Sequence, residues 1–335
     1  MRLTENISTQ FNETRLSIVG PQFFSYLEAI VGEVESLGIC AQSIDERGTQ
    51  SFYMKAIFRS SLLRKLMGFV VRNRHAIIRQ EVANFRSTHV IFISPESINV
   101  KLIESLKDTG IKVILYMWDS FDNKPAAKSC LNSFDRSATF DPVDAENYKL
   151  EIINLFAEKE FFYSNSRSLK KQIALSFVGT AHSSRPRMLK SFLTNPAFFS
   201  LSKKIHLYRG NAYYHLRALI VTLFSRHLPI SKNSLSKQAV AEIFINSKYV
   251  LDITHDNQRG LTSRSFEALA AGGILVTNNK WAQILLPEFR KRIVLFEDIG
   301  SLSLSSSFTG ETLNIDTDYL TINRFCREML QLAES

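Results

Sequence analysis

Ten short, nearly continuous apolar runs alternate with amphipathic stretches, and that alternation constrains the fold of this chain most. Five lie in the first half: Arg15–Val19, Ile39–Ile44, His89–Ser94, Lys112–Trp118 and Ser137–Phe140. Five more follow: Ile173–Gly179, Lys204–Tyr208, Tyr249–Ile253, Gly273–Thr277 and Arg292–Phe296. Strands apolar on both faces belong to parallel sheets covered by helices, because a parallel pair needs a crossover long enough to hold one. Between the first two runs, Phe23, Leu27, Ile30, Val31, Val34 and Leu37 fall on one helical face. The alternation occurs twice, and the polar stretch Ser164–Gln172 separates the halves. Two α/β domains are expected, spanning 1–163 and 173–317, which suits a length of 335 residues.

Composition then excludes several classes. At 45% hydrophobic and 22% charged residues the chain is globular. No window reaches the roughly 18 uninterrupted apolar residues of a membrane span. The opening MRLTENISTQ has no apolar signal core, so secretion is not expected. Cys40, Cys130 and Cys326 lie far apart and no CxxC or HExxH is present, which argues against a disulfide framework or a zinc site. A reduced, cytoplasmic protein is the expectation.

The net charge of +9 suits anionic partners. Neither GxGxxG nor GxxxxGK[ST] occurs, and no helix-turn-helix pattern supports a nucleic-acid partner. From Arg47 through Gln80 there are eight Lys or Arg and no acid, interleaved with large apolar residues such as Phe52, Phe58 and Phe69. Residues 52–79 therefore read as a segment for an anionic membrane surface, or as a core-packed helix with a solvated basic face.

Ligands of doubly wound sheets bind beyond the carboxyl ends of the strands, and several polar motifs fall there. In RGLTSRSFEALAAGGILVTNN, a turn at Gly260 leads into a short helical pattern and then an apolar run. Backbone amides at such a helix start suit a phosphate, and the hydroxyls of Thr262 and Ser263 add donors. Glu267, one turn later, is placed for the hydroxyls of an attached ribose. The plainer reading makes Thr262 or Ser263 an N-cap and Glu267 a surface residue. FVGTAHSSRPR brings Gly179, Thr180, His182, Arg185 and Arg187 to another strand end, and YMWDSFDNKP brings Asp119. Arg209, Asp45 and Glu46 also follow strands but are less specific.

The run GLTSRSFEALAAGGILVTN resembles the donor-binding motif of GT-B glycosyltransferases, especially bacterial CgeB-like and surface-polysaccharide enzymes. IVGPQFFSY, LYMWDSF, ATFDPVDAENY and SFVGTAHSSRPRML are similar to the same group and occur in the same order across most of the chain. The resemblance implies two Rossmann-like domains facing a central cleft, with the nucleotide sugar on the carboxyl-terminal domain and the acceptor on the other. It also implies that a final helix, 318–335, packs back on the first domain. The acceptor would be a glycan or a lipid-linked glycan. Arg185, Arg187 and Arg264, with helix amides, would stabilise the leaving diphosphate without metal or cofactor. Asp119 and His182 are the candidates for acid–base work. One departure stands out: many retaining members carry two glutamates with seven residues between them, and Arg259 replaces the first. An epimerase on the same scaffold, or a binding protein without chemistry, remains open.

Overall fold

A computed structural model describes residues 13–21, 26–48, 66–162, 171–181, 185–208, 230–255, 258–297 and 316–334, with single positions at 58, 62, 302 and 304. The chain divides into two compact units, one formed by 1–154 with 322–335 and the other by 155–321.

The first unit holds β1 (Arg15–Gly20), α1 (Tyr26–Ser36), β2 (Cys40–Asp45), α2 (Gly68–Asn84), β3 (His89–Ile93), α3 (Val100–Lys107), β4 (Lys112–Met117), α4 (Pro125–Ser129), β5 (Arg136–Thr139), α5 (Pro142–Tyr148) and β6 (Glu151–Ile152). The second holds β7 (Ile173–Thr180), α6 (Arg185–Thr194), β8 (Lys203–Tyr208), β9 (Ile230–Ser231), α7 (Lys237–Ile245), β10 (Ser247–Asp252), α8 (Ser263–Ala270), β11 (Ile274–Thr277), α9 (Ala282–Leu285) and β12 (Ile293–Leu295). The final helix, α10 (Ile322–Glu334), returns to the first unit.

Both sheets are six-stranded and wholly parallel, in the orders β2-β1-β3-β4-β5-β6 and β12-β11-β10-β7-β8-β9. All ten expected strands form, within a residue or two at their ends. The short edge strands β6 and β9 were not expected, because two residues leave no periodic pattern to read. In the second sheet the chain starts at β7, winds outward through β8 and β9, and then returns to β10 on the other side. The order reverses between β7 and β10, and that crevice is where doubly wound sheets bind ligands. In the first sheet it reverses between β1 and β3.

Caps and glycines set the element ends. Asp141 accepts from the amides of Val143 and Asp144 at the start of α5, and Asn99 from that of Leu102 at the start of α3. The double glycine after α8 has two tasks. Gly272 takes a left-handed φ of 67° that ends the helix. A Cβ on Gly273 would lie 2.9 Å from the Ala268 carbonyl oxygen, so only glycine lets the chain turn this tightly into β11.

The amphipathic α10 buries Phe325, Cys326, Met329 and Leu330. Phe325 meets Tyr116 of β4 edge-on at 5.2 Å between ring centroids, and Arg324 donates to the Asn154 carbonyl at 3.0 Å. The helix begins at Ile322 rather than 318. Asp318–Leu320 is a separate single turn in which the Asp316 carboxylate accepts from the Asp318 amide at 2.9 Å. That bond makes the Asp316 carboxylate a local turn brace.

Candidate functional site

The crevice between β7 and β10 is organised by one carboxylate. Asp252, the last residue of β10, is fully buried. Its Oδ2 accepts from the hydroxyls of Thr262 and Ser265, each at 2.9 Å, and its Oδ1 from Arg264 Nη1 at 2.8 Å. A buried carboxylate needs such partners, and these fix the first turn of α8 onto the strand end. Thr262 is therefore an N-cap by position only. Its hydroxyl accepts no cap bond from the helix amides and donates instead to Asp252.

Arg264 is held in place by this ion pair and lies over the Phe177 ring, Cζ 5.5 Å from the centroid. A Cβ at Gly179 would approach Arg264 Nη2 to 3.1 Å and the Phe177 ring to 3.0 Å. The glycine at the end of β7 thus lets the guanidinium lie against the strand. Arg264 Nη2 makes no hydrogen bond among the described residues. On the other side, Arg185 at the start of α6 donates from Nε to the Ile253 carbonyl at 2.9 Å and from Nη1 to Thr180 Oγ1 at 3.3 Å. It is buried, which lowers its pKa to about 10; the neighbouring Arg264 pushes the same way. Tyr208, at the end of β8, is raised by burial despite the charges of Arg264 and Arg185. Two guanidiniums, one phenol and the starts of two helices thus gather at one strand-end crevice. Two guanidiniums against the one carboxylate of Asp252 leave a positive charge in excess at this strand end, suited to an oxyanion.

The turn before α8 is braced by the end of its own motif. Asn279 Nδ2 donates to the carbonyls of Arg259 and Gly260, at 3.0 and 3.4 Å. Asn278 exchanges hydrogen bonds with the Thr254 backbone. Ser263 is half-buried, and its hydroxyl makes no hydrogen bond among the described residues. Glu267 is half-buried one turn further on. Burial pushes its carboxyl up to about 7; Arg264 and Lys237 oppose the rise, and Glu158 and Asp252 add to it.

The other candidates are placed less tellingly. Arg187 is exposed. His182 and Arg209 lie outside the described residues. Asp119, beyond β4, accepts at Oδ1 from the Ser120 amide and from Asn123 Nδ2, the bonds of a turn brace. Glu46 is wholly buried and accepts from the amides of Glu96 and Ser97. Arg47 and Lys124 in turn clasp Glu96. These charges hold the strand-end loops of the first sheet together. Among the described residues no group of three His, Cys, Asp or Glu side chains is arranged to hold a metal ion.

Residues 216–305 match the family model described as glycosyl transferase-like. No curated protein matches the sequence. Among solved structures, the E. coli trehalose-6-phosphate protein bound with UDP-2-fluoro glucose is similar at 12% identity and a TM-score of 0.64, over 96% of this chain and 99% of that one. A glycosyltransferase from Rickettsia africae is similar at 10% identity and TM-score 0.57, over 96% and 98%. The UDP-GlcNAc 2-epimerase of Methanocaldococcus jannaschii, in complex with UDP-GlcNAc and UDP, is similar at 10% identity and TM-score 0.55, over 96% and 100%. The fold is GT-B: two Rossmann-like units, each a parallel sheet covered by helices. The segment that supplies Asp252, Arg264 and Glu267 is glycosyl transferase-like in sequence.

Proposed function

We propose that this protein is a glycosyltransferase that binds a nucleoside diphosphate sugar at the β7–β10 crevice of its second unit. The observation that carries this reading is the pairing of Arg264 and Arg185 around Gly179, with Glu267 one helical turn beyond. As the bond from the anomeric carbon to the diphosphate breaks, negative charge grows on the leaving phosphate oxygen. Fixed guanidinium donors lower that barrier because they are oriented before the reaction begins. Arg264 is pre-oriented by Asp252, and Arg185 by Thr180 and the Ile253 carbonyl. The similarity of the sequence to surface-polysaccharide enzymes supports a glycan or lipid-linked acceptor in bacterial surface-glycan synthesis.

A panel of nucleoside diphosphate sugars tests this by thermal shift, since a ligand of the native state raises its apparent stability. The selected donor should then release nucleoside diphosphate. The similarity to a UDP-GlcNAc epimerase favours one rival, which would instead convert the free nucleotide sugar to its epimer. Stabilisation without either product would leave a binding protein. With Arg185 and Arg264 supplying the positive charge, turnover is expected to persist in EDTA. A strict requirement for Mg²⁺ or Mn²⁺, restored by adding the ion, would remove the arginines from that role.

Glu267→Gln is expected to weaken nucleoside binding in calorimetry by about 10- to 150-fold. This corresponds to the roughly 1.5–3 kcal/mol of a hydrogen bond to a charged group. Because the free carboxyl titrates at about 7, the native protein's affinity for the nucleoside should rise between about pH 6 and pH 8, while that of the Gln variant stays flat. Stability runs the other way. A carboxyl raised on folding favours the native state only while protonated, and that contribution is lost as the pH climbs through about 7. The Gln variant should therefore gain in melting temperature over the native protein as the pH rises. Equal nucleoside affinity in the two proteins at high pH would end the ribose assignment.

A further inference from the structure

We infer that the surface around the start of α2 docks on an anionic lipid membrane. Helix α2 buries Val71, His75, Ile78 and Val82, one face at helical spacing. The opposite face presents Phe69 at 62% exposure and Ile77 at 36%. Just before the helix, Leu62 and Leu66 are 65% and 69% exposed. Large apolar side chains open to water in one stretch of chain mark a contact surface.

The charges around them identify what that surface meets. Arg72 and Arg79 are exposed on the same helix. Arg74 is not part of this face, because its guanidinium is bound by the Asp45 carbonyl and the Glu81 carboxylate. His75 adds no charge: burial, with the nearby Arg79, lowers its pKa to about 4. Arg47 is likewise spent, on Glu96, so Arg72 and Arg79 are the exposed charges of this segment among the described residues. Leucine and phenylalanine flanked by arginine suit the boundary between lipid headgroups and acyl chains, where apolar burial and attraction to anionic headgroups act together. A second copy of this chain fits poorly, since a two-fold contact through this face would bring two copies of the Arg72 and Arg79 charges together with no acid between them on the face. Phe58, which the sequence placed among the lipid-facing aromatics, is fully buried and belongs to the core. Phe52 lies outside the described residues. Among the described residues no helix is long and apolar enough to cross a membrane, so the contact is a surface one.

Co-sedimentation with vesicles tests the inference without reference to catalysis. The full chain should pellet with vesicles of equal parts phosphatidylglycerol and phosphatidylcholine at low salt, and not with phosphatidylcholine alone. Raising the salt should release part of it, because ions screen the headgroup attraction. Arg72→Gln with Arg79→Gln should reduce binding at least about fivefold. Leu66→Ser with Phe69→Ser should abolish the fraction that resists salt. All four side chains are at the surface, so circular dichroism and melting should match the native protein. The inference is overturned if the native chain ignores anionic vesicles at low salt, or if either double variant binds them like the native chain. It also fails if the native chain binds phosphatidylcholine equally well. A concentration-dependent dimer lost in the Leu66/Phe69 variant would assign the face to a second copy instead.

Discussion

Changing Arg264 to Gln is expected to lower turnover by about 10²–10³-fold, the loss typical of one pre-oriented donor to a developing anion. The side chain sits where its charge matters most. Asp252 holds Nη1 at 2.8 Å, Phe177 supports the guanidinium plane, and Nη2 lies against Gly179, one residue before the end of β7. Glutamine can still donate to Asp252, so the local hydrogen bond survives while the positive charge is lost. Without Arg264 the Glu267 carboxyl moves further up. The diagnostic is therefore a split in binding read at about pH 9, where that carboxyl is ionised in both proteins: affinity for the nucleoside diphosphate should fall while affinity for the free nucleoside stays. A purely structural role for Arg264 would lower both together. Lysine should restore part of the rate, since it returns the charge without the planar fork. Native turnover in the Gln variant would move the site away from this crevice.

Much of this site was readable before the structure because its parts follow strands. An apolar run that ends in Gly179–Thr180, and another that leads into Gly260–Glu267, put polar residues at sheet ends, where parallel α/β units bind ligands. Asp252 was not readable in the same way. It sits at the end of the Tyr249–Ile253 run, and its partners Thr262, Arg264 and Ser265 become neighbours only when the turn folds back. A lone acid that ends an apolar strand, followed by hydroxyls at a helix start, is the signal that would have found it. Thr262 is a case in point: the sequence places its hydroxyl at a helix start, and only the fold shows that it donates to the buried carboxylate beneath it. Glu46 shows the opposite case: an acid at a strand end that the structure spends on backbone amides inside the first unit. Sequence gives the position of such groups along the chain; which partner satisfies them depends on tertiary packing.

Asp252→Ala should cost about 3–5 kcal/mol of unfolding free energy, as much as truncating a large core side chain. The carboxylate is fully buried and anchors three donors from two adjoining segments. Its removal leaves the Arg264 guanidinium, itself only 17% exposed, without its counter-charge, and two hydroxyls without an acceptor. Asp252→Asn should cost less, because one amide oxygen still accepts, although the amide nitrogen then faces donors. Combining Asp252→Asn with Arg264→Gln should cost less than the sum of the two single changes, since the pair is in direct contact. Urea unfolding gives the free energies, and hydrogen exchange shows whether the loss is concentrated in β10 and α8. If Asp252→Ala costs less than about 1 kcal/mol, within the range of an ordinary surface change, the carboxylate does not anchor the site. Arg264 would then have to be oriented by something other than this ion pair, and the pre-organisation assigned to it would fail with it.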